Sequence, residues 1–144
     1  MIHYLLDVNV LIALIDPAHV QHDKAHAWFA STGQHAWATC PLTENGVLRI
    51  VGHTRYPNSP GNPVAVATLM AEFRSLPGHV FWPDDVSLHD PQIVDQTQLK
   101  NSAQLTDTYL LALACVHGGQ LATFDARLVT AAVLNGSSGL CVLK

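Results

Sequence analysis

Four acidic residues stand far apart in the sequence, each next to an apolar stretch: Asp7, Glu44, Asp107 and Asp125. Such positions bury carboxylates close to one another, which is costly unless a cation compensates their charge. Carboxylate oxygens are the natural ligands of Mg²⁺ and Mn²⁺, which keep open positions for water and a phosphate oxygen. Any one of these acids could instead cap a helix or stabilise its dipole. Taken together, they indicate a divalent-metal site for phosphate chemistry.

Alternating strand and helix patterns position these acids and predict an α/β fold with a parallel sheet between helices, in a single domain spanning residues 1–144. The predicted strands cover residues 2–6, 36–39, 79–82, 120–124 and 140–143. The predicted helices cover residues 8–15, 19–31, 64–75, 86–95 and 106–117, with others starting at Pro41 and near Asp125. Strand carboxyl ends and the helix starts that follow them share one edge of such a sheet, so the four acids can converge there.

Four segments then make the sequence similar to a known family. In chain order they are LLDVNVLIAL, PLTENGVLRI, LTDTYLLALA and HGGQLATFD. They resemble the signature segments of the PIN-domain ribonucleases, most closely those of VapC-type toxins of type II toxin–antitoxin systems, and the resemblance covers nearly the whole chain. It implies that Asp7, Glu44, Asp107 and Asp125 form the acidic quartet of the family. Asn9 matches a polar residue that supports the first aspartate, whereas Thr43 and Thr123 match small hydroxyl residues beside the site.

The resemblance also implies a fold, a cofactor and partners. The expected fold is a three-layer sandwich with a central parallel sheet of four or five strands and helices on both faces. The expected cofactor is one or two Mg²⁺ (or Mn²⁺) ions, and the expected activity is endonucleolytic cleavage of RNA. Family members are usually homodimers, and a small cognate antitoxin protein neutralises them by inserting a segment into the acidic cleft.

The residues suggest a mechanism of metal-assisted hydrolysis, in which a metal activates water for attack on phosphorus and neutralises the transition state. We assign Asp7 and Asp107 as the primary metal ligands. Glu44 and Asp125 complete a second metal site or orient the water.

The cationic residues give little indication of how RNA is held. A net charge of −4 and a pI near 6.1 exclude the basic stripe of a general nucleic-acid binder. The resemblance leads us to expect basic residues before Asp107, but that stretch reads KNSAQ and offers only Lys100. Arg127 is the best candidate for a phosphate contact and Arg49 a weaker one, although either can be an ordinary surface arginine.

Several other interpretations stay open. The segment HVQHDKAH puts His19, His22 and His26 on one predicted helix face, where they could bind zinc, act as acid and base, or face solvent. Asp84 and Asp85 form an acidic pair after a strand, which fits a turn or a helix cap better than a metal site. Tryptophans and Phe29 could stack on bases but fit a core or a dimer interface better.

Two further function classes compete with the ribonuclease. One is a catalytically silent PIN-fold binding module that acts through a protein partner. The other is a metal-dependent phosphatase of the haloacid type, which requires an aspartate where this chain has Asn9.

The amino-acid composition indicates whether the chain can form a core and in which compartment it resides. Hydrophobic residues make up 49% of the chain, enough for a core, whereas charged residues make up only 12%. The three cysteines form no C-x-x-C pair, which indicates buried thiols in a reducing compartment. No secretory signal or membrane-spanning run is recognisable, so the sequence predicts a soluble, cytoplasmic protein without membrane association.

Overall fold

The computed structural model, which describes all 144 residues, is built on a five-stranded sheet. Its strands are β1 (Tyr4–Leu6), β2 (Trp37–Thr39), β3 (His79–Phe81), β4 (Gln120–Thr123) and β5 (Leu140–Val142). They lie in the order β3-β2-β1-β4-β5, and every neighbouring pair is parallel. The predicted parallel α/β sheet is therefore confirmed, with β1 at its centre.

Five helices cover the two faces of this sheet. They are α1 (Val8–Ile15), α2 (His22–Ser31), α3 (Pro41–Val51), α4 (Pro63–Arg74) and α5 (Leu105–Val116). The sheet separates two apolar clusters. Successive residues of β1 point into one or the other, because strand side chains alternate between faces. Leu6 packs into a cluster with residues of α1 to α4, and Leu5 packs into a second cluster with α5. The sheet is thus buried on both sides, and none of the helices is long and apolar enough to cross a membrane.

Two predicted helices are absent. Residues 86–95 form turns rather than a helix, because Pro91 removes a backbone donor and Asp90 Oδ1 accepts the Gln92 N–H at 2.9 Å in a local turn. No helix begins at Asp125 either, since its Oδ1 accepts the Arg127 N–H at 2.9 Å and closes a turn instead. The remaining elements match the predictions to within one to three residues at each end.

The middle of α3 packs closely against the start of α1, which follows the first acid. Gly46 is buried in α3, and a Cβ atom built on it would lie 2.8 Å from Cγ2 of Val8. Since β-branched Val8 has little rotamer freedom in a helix, it cannot easily move aside. Gly46 is therefore the residue that permits this helix contact beside Asp7.

Substitution of Gly46 by alanine should destabilise the protein by about 1–2 kcal/mol, because overpacking against Val8 outweighs the helical advantage of alanine. Urea unfolding measures this difference. Asn45→Ala, on the exposed side of the same helix, is the matched control and should change stability by less than about 0.5 kcal/mol. Equal stabilities for Gly46→Ala and the wild type would contradict the close contact.

Candidate active site

Asp7 is fixed at the point where the central strand ends and α1 begins. Its backbone is extended and it serves as the N-cap of α1, with Oδ1 accepting the Val8 N–H at 2.8 Å. Its other oxygen, Oδ2, accepts the Thr123 hydroxyl at 2.8 Å. Only 8% of the residue is exposed. The carboxylate is therefore held by two directional bonds at the carboxyl edge of the sheet.

The Thr123 hydroxyl links three parts of this edge. Thr123 is the last residue of β4, which pairs directly with β1. Its Oγ1 donates to Asp7 and accepts the backbone N–H of Asp125 at 3.1 Å. The side-chain amide of Asn9 also donates to it, at 3.4 Å. Because one hydroxyl satisfies all three groups, the ends of β1 and β4 hold Asp7 and the Asp125 backbone in a fixed relation.

Three of the four predicted acids influence one another electrostatically. Burial raises the pKa of Asp107, and the charges of Asp7 and Asp125 raise it further. Burial also raises the pKa of Asp7; hydrogen bonds from Thr123 and Val8 oppose this shift, and the charge of Asp125 adds to it. The two salt bridges of the structure involve none of these three aspartates. The cluster therefore carries uncompensated negative charge.

Glu44, the fourth predicted acid, is engaged elsewhere. Its Oε2 accepts the Thr39 hydroxyl at 2.6 Å and lies 3.1 Å from Nε of Arg74. Glu44 is not among the charges that raise the pKa of Asp7 or Asp107. The structure thus brings together Asp7, Asp107 and Asp125, and places Glu44 in an ion pair with α4.

Comparisons with known proteins bear on this arrangement. The PIN domain family model matches residues 4–134. Ribonuclease VapC44 of Mycobacterium tuberculosis is 42% identical over 132 residues, covering 90% of each chain. Ribonuclease VapC39 of the same organism is 44% identical over 128 residues, covering 89% of this chain and 92% of the relative.

The chain belongs to the PIN-domain family, in its VapC group.

A solved structure shares the fold of this PIN domain. It is the crystal structure of VapBC2 from Rickettsia felis bound to a DNA fragment from their promoter. The match has a TM-score of 0.56 at 12% identity and covers 88% of this chain and 90% of that chain. At this level of identity, the likeness supports the three-layer architecture alone.

Of the residues predicted to support the site, some lie at the aspartate cluster and one does not. Asn9 lies beside Thr123, and its Oδ1 is a buried acceptor without a hydrogen-bond partner. Thr43 is fully buried, and its hydroxyl exchanges hydrogen bonds with the backbone of Cys40 in the capping box of α3. Asn9 and Thr123 are therefore part of the aspartate cluster, whereas the bonds of Thr43 hold the start of α3.

The donor chemistry of the cluster fits a divalent cation. Three carboxylates without a cationic partner and the orphaned oxygen of Asn9 are all hard oxygen donors, which Mg²⁺ and Mn²⁺ prefer. As the side chains stand, no group of three His, Cys, Asp or Glu residues is arranged to hold an ion. The residues therefore suit a metal in type and charge.

The predicted histidine site has another structural explanation. Nδ1 of His22 lies 2.7 Å from the Ala13 carbonyl, and Nε2 of His26 lies 3.0 Å from the Leu14 carbonyl. Both rings therefore donate to the last carbonyls of α1, which lack helical partners. His19 lies before α2, where its Nδ1 accepts the Gln21 N–H at 3.0 Å. The predicted shared helix face of all three is wrong, since α2 begins only at His22.

The other sequence candidates lie around the cluster or away from it. Arg127 is exposed two residues beyond Asp125, and Arg49 is exposed near the end of α3. Asp85 accepts from Nε2 of His117 at 3.1 Å, so it neither caps a helix nor joins the cluster. Phe29 and the tryptophans are core residues: Trp37 and Trp82 are buried, and Trp28 is half-buried against Tyr4.

Sequence reasoning missed Arg74, Thr39 and His79, which surround Glu44. His79 Nε2 lies 2.7 Å from Thr39 Oγ1, which in turn donates to Glu44. Burial lowers the pKa of His79, and the charge of Arg74 lowers it further. Because Thr39 gives its one hydroxyl proton to Glu44, Nε2 of His79 is the donor in its bond to Thr39. Nothing in the local sequence around these residues signals that they meet.

Replacing Asp107 by asparagine should stabilise the metal-free PIN domain at neutral pH by less than about 1 kcal/mol, because the side chain is partly exposed and solvent screens its charge. A carboxyl whose pKa is raised by folding costs stability at pH values above its ordinary pKa, here 3.8. The advantage should therefore vanish as the pH falls below that value.

Urea unfolding in EDTA at a series of pH values measures this effect. Asp23→Asn is the matched control, since Asp23 is exposed in the first turn of α2. A lower stability for Asp107→Asn than for wild type at pH 7 would show that Asp107 has a compensating partner in solution.

Proposed function

We propose that this PIN domain is a metal-dependent endoribonuclease that cleaves RNA phosphodiester bonds and acts as the toxin of a toxin–antitoxin pair. The cluster of Asp7, Asp107 and Asp125 is the observation that carries the proposal, because it concentrates negative charge with no cation to offset it. The names of the related proteins, both called ribonuclease VapC, support RNA as the substrate.

The residues of the chain have distinct tasks in this reaction. A bound Mg²⁺ or Mn²⁺ would supply positive charge to the phosphate and increase the acidity of a water. Asp7, restrained by Thr123 and Val8, presents its carboxylate in a fixed orientation, which lowers the entropic cost of binding. Asp107 provides a second carboxylate from another helix, and Asp125 a third from the turn after β4. Asn9 contributes its unpaired oxygen beside them.

An antitoxin fits the same charge imbalance. A partner that inserts a cationic side chain among the three aspartates would offset their repulsion and occupy the metal position. The Rickettsia felis structure that shares this fold is that of VapBC2, which supports such a partner. We also propose a homodimer, as the resemblance implies. Cys40, Cys115 and Cys141 are all free, which supports a reducing compartment such as the cytoplasm.

A second candidate function is a catalytically silent PIN-fold module that acts only through its protein partner. The ion pair between Glu44 and Arg74 favours this alternative, since it occupies one of the four acids expected in the family. The names of the related ribonucleases favour the enzyme, because the aspartate cluster alone could serve either a metal or a cationic segment of a partner.

Cleavage of RNA should require a divalent metal, disappear with EDTA and return with excess Mn²⁺. Asp7→Asn should lower the rate at least about 100-fold, which exceeds the effect of most residues that only support metal ligands. Asp23→Asn removes the same charge from an exposed position and should keep the full rate. RNA, DNA and a phosphomonoester, each tested with and without Mn²⁺, separate a ribonuclease from a phosphatase.

Full activity in EDTA would contradict metal dependence. No cleavage of RNA under any metal condition, with a folded protein, would favour the silent module.

Expression of the wild-type chain alone should arrest bacterial growth, because a toxin without its antitoxin degrades cellular RNA. Asp7→Asn should relieve the arrest, and Asp23→Asn should not. Growth curves after induction, with protein levels matched by blotting, measure this outcome. Arrest by Asp7→Asn at the same protein level would contradict a catalytic cause of toxicity.

A further inference from the structure

Glu44 lies at the centre of a polar network on the α4 side of the sheet. Thr39, the last residue of β2, donates its hydroxyl to Oε2 of Glu44 at 2.6 Å and accepts from His79 at 2.7 Å. Arg74, the last residue of α4, approaches the same Oε2 with its Nε at 3.1 Å. Residues of β2 and α4 thus contact one carboxylate oxygen directly, and His79 of β3 supports it through Thr39.

The geometry of the ion pair leaves part of each partner free. Both contacts to Glu44 use Oε2, so Oε1 lies outside them. The guanidinium of Arg74 is placed with its carbon 5.2 Å from the centre of the Phe81 ring, which limits its orientations. The side chain of Glu44 is 20% exposed and that of Arg74 41%. Glu44 is therefore restrained on one side and accessible to solvent on the other.

The position of the network relates it to the aspartate cluster. Glu44 is in the first turn of α3, directly after β2, and β2 pairs with β1, which ends next to Asp7. The carboxyl ends of β1 and β2 share one edge of the sheet, so Glu44 belongs to the same edge as the cluster. Arg74 is the only Lys or Arg in the structure that forms a salt bridge. The only salt bridge made by a Lys or Arg side chain is therefore the one to Glu44, the acid that follows β2.

We propose that Arg74 is a positioning residue for the proposed ribonuclease: with Thr39, it fixes the Glu44 carboxylate so that Oε1 remains free to orient water at the edge of the cluster. This inference rests on the proposed function. An arginine that acts through Glu44 should lose its effect once Glu44 is changed. An arginine that instead binds an RNA phosphate with its exposed edge should act independently of Glu44.

A double-mutant cycle in steady-state RNA cleavage with Mn²⁺ distinguishes these roles. Arg74→Met removes the charge and the donor but keeps much of the length. It should lower kcat by about 10- to 100-fold, as residues that orient metal-site groups do, and leave KM within about twofold. The double variant with Glu44→Gln should be no slower than Glu44→Gln alone. Arg74→Lys should recover part of kcat, because lysine retains charge without the planar guanidinium.

Arg55→Met is the matched control, since Arg55 is an exposed arginine in the loop between α3 and α4. It removes the same charge and should leave kcat and KM unchanged. Thermal unfolding should show all variants folded, with Tm within about 5 °C of wild type, since a partly exposed ion pair contributes little stability.

His79 provides a readout that does not depend on activity. The charge of Arg74 is one of the causes that lower the pKa of His79, after burial. The pKa of His79, followed by NMR with His79→Gln as the assignment control, should therefore rise in Arg74→Met and stay unchanged in Arg55→Met. An unchanged His79 pKa in Arg74→Met would show that the network is not formed in solution and would overturn the proposal.

The kinetic results distinguish a failure of the Arg74 role from a failure of the proposed ribonuclease function. If the wild-type protein cleaves RNA and the losses in Arg74→Met and Glu44→Gln multiply in the double variant, only the role of Arg74 is overturned. An effect of Arg74→Met confined to KM does the same and indicates a phosphate contact. A folded wild-type protein with no RNA cleavage under any metal condition overturns the proposed function, and the positioning role with it.

Discussion

The repulsion among three carboxylates at one edge of the sheet is the constraint on which the rest of the structure depends. Asp7, Asp107 and Asp125 come from the end of β1, from α5 and from the turn after β4, so only the complete fold brings them together. Burial removes water from around Asp7, whereas Asp107 is only partly buried and Asp125 is exposed. Packing must therefore offset what the site costs, and apolar clusters on both faces of the sheet provide that packing.

The hydroxyl of Thr123 makes this arrangement precise. A carboxylate at a helix N-terminus is stabilised by the helix dipole and by the free N–H groups, but its side chain can still rotate. The bond from Thr123 ties the second oxygen of Asp7 to the neighbouring strand, whose register with β1 is set by the sheet. The same oxygen of Thr123 accepts from the Asp125 backbone, so the distance between the two acids depends on a strand pair rather than on flexible loops.

The sequence was sufficient to predict the sheet and most helices, because these follow from apolar periodicity and from the alternation of strands and helices. Of the four acids that it predicted to converge, Asp7, Asp107 and Asp125 influence one another, whereas Glu44 pairs with Arg74 instead. The prediction failed where single side chains decide the structure. Two segments predicted as helices form turns instead, because of Pro91 and the carboxylates of Asp90 and Asp125. The contact of Glu44 with Arg74 joins residues 30 positions apart through side-chain orientation alone, which no periodic pattern reports.

The small number of basic residues affects how the site binds its partners. The chain has 7 Lys and Arg against 11 Asp and Glu, and one arginine is already bound to Glu44. RNA approaching the aspartate cluster therefore meets like charge unless a cation is present. On the proposed function, metal and RNA must strengthen each other's binding, because each supplies the charge that the other lacks and the coupling is reciprocal. A cationic antitoxin segment would compete with the metal for the same carboxylates, which makes inhibition by the partner a direct consequence of how the site is built.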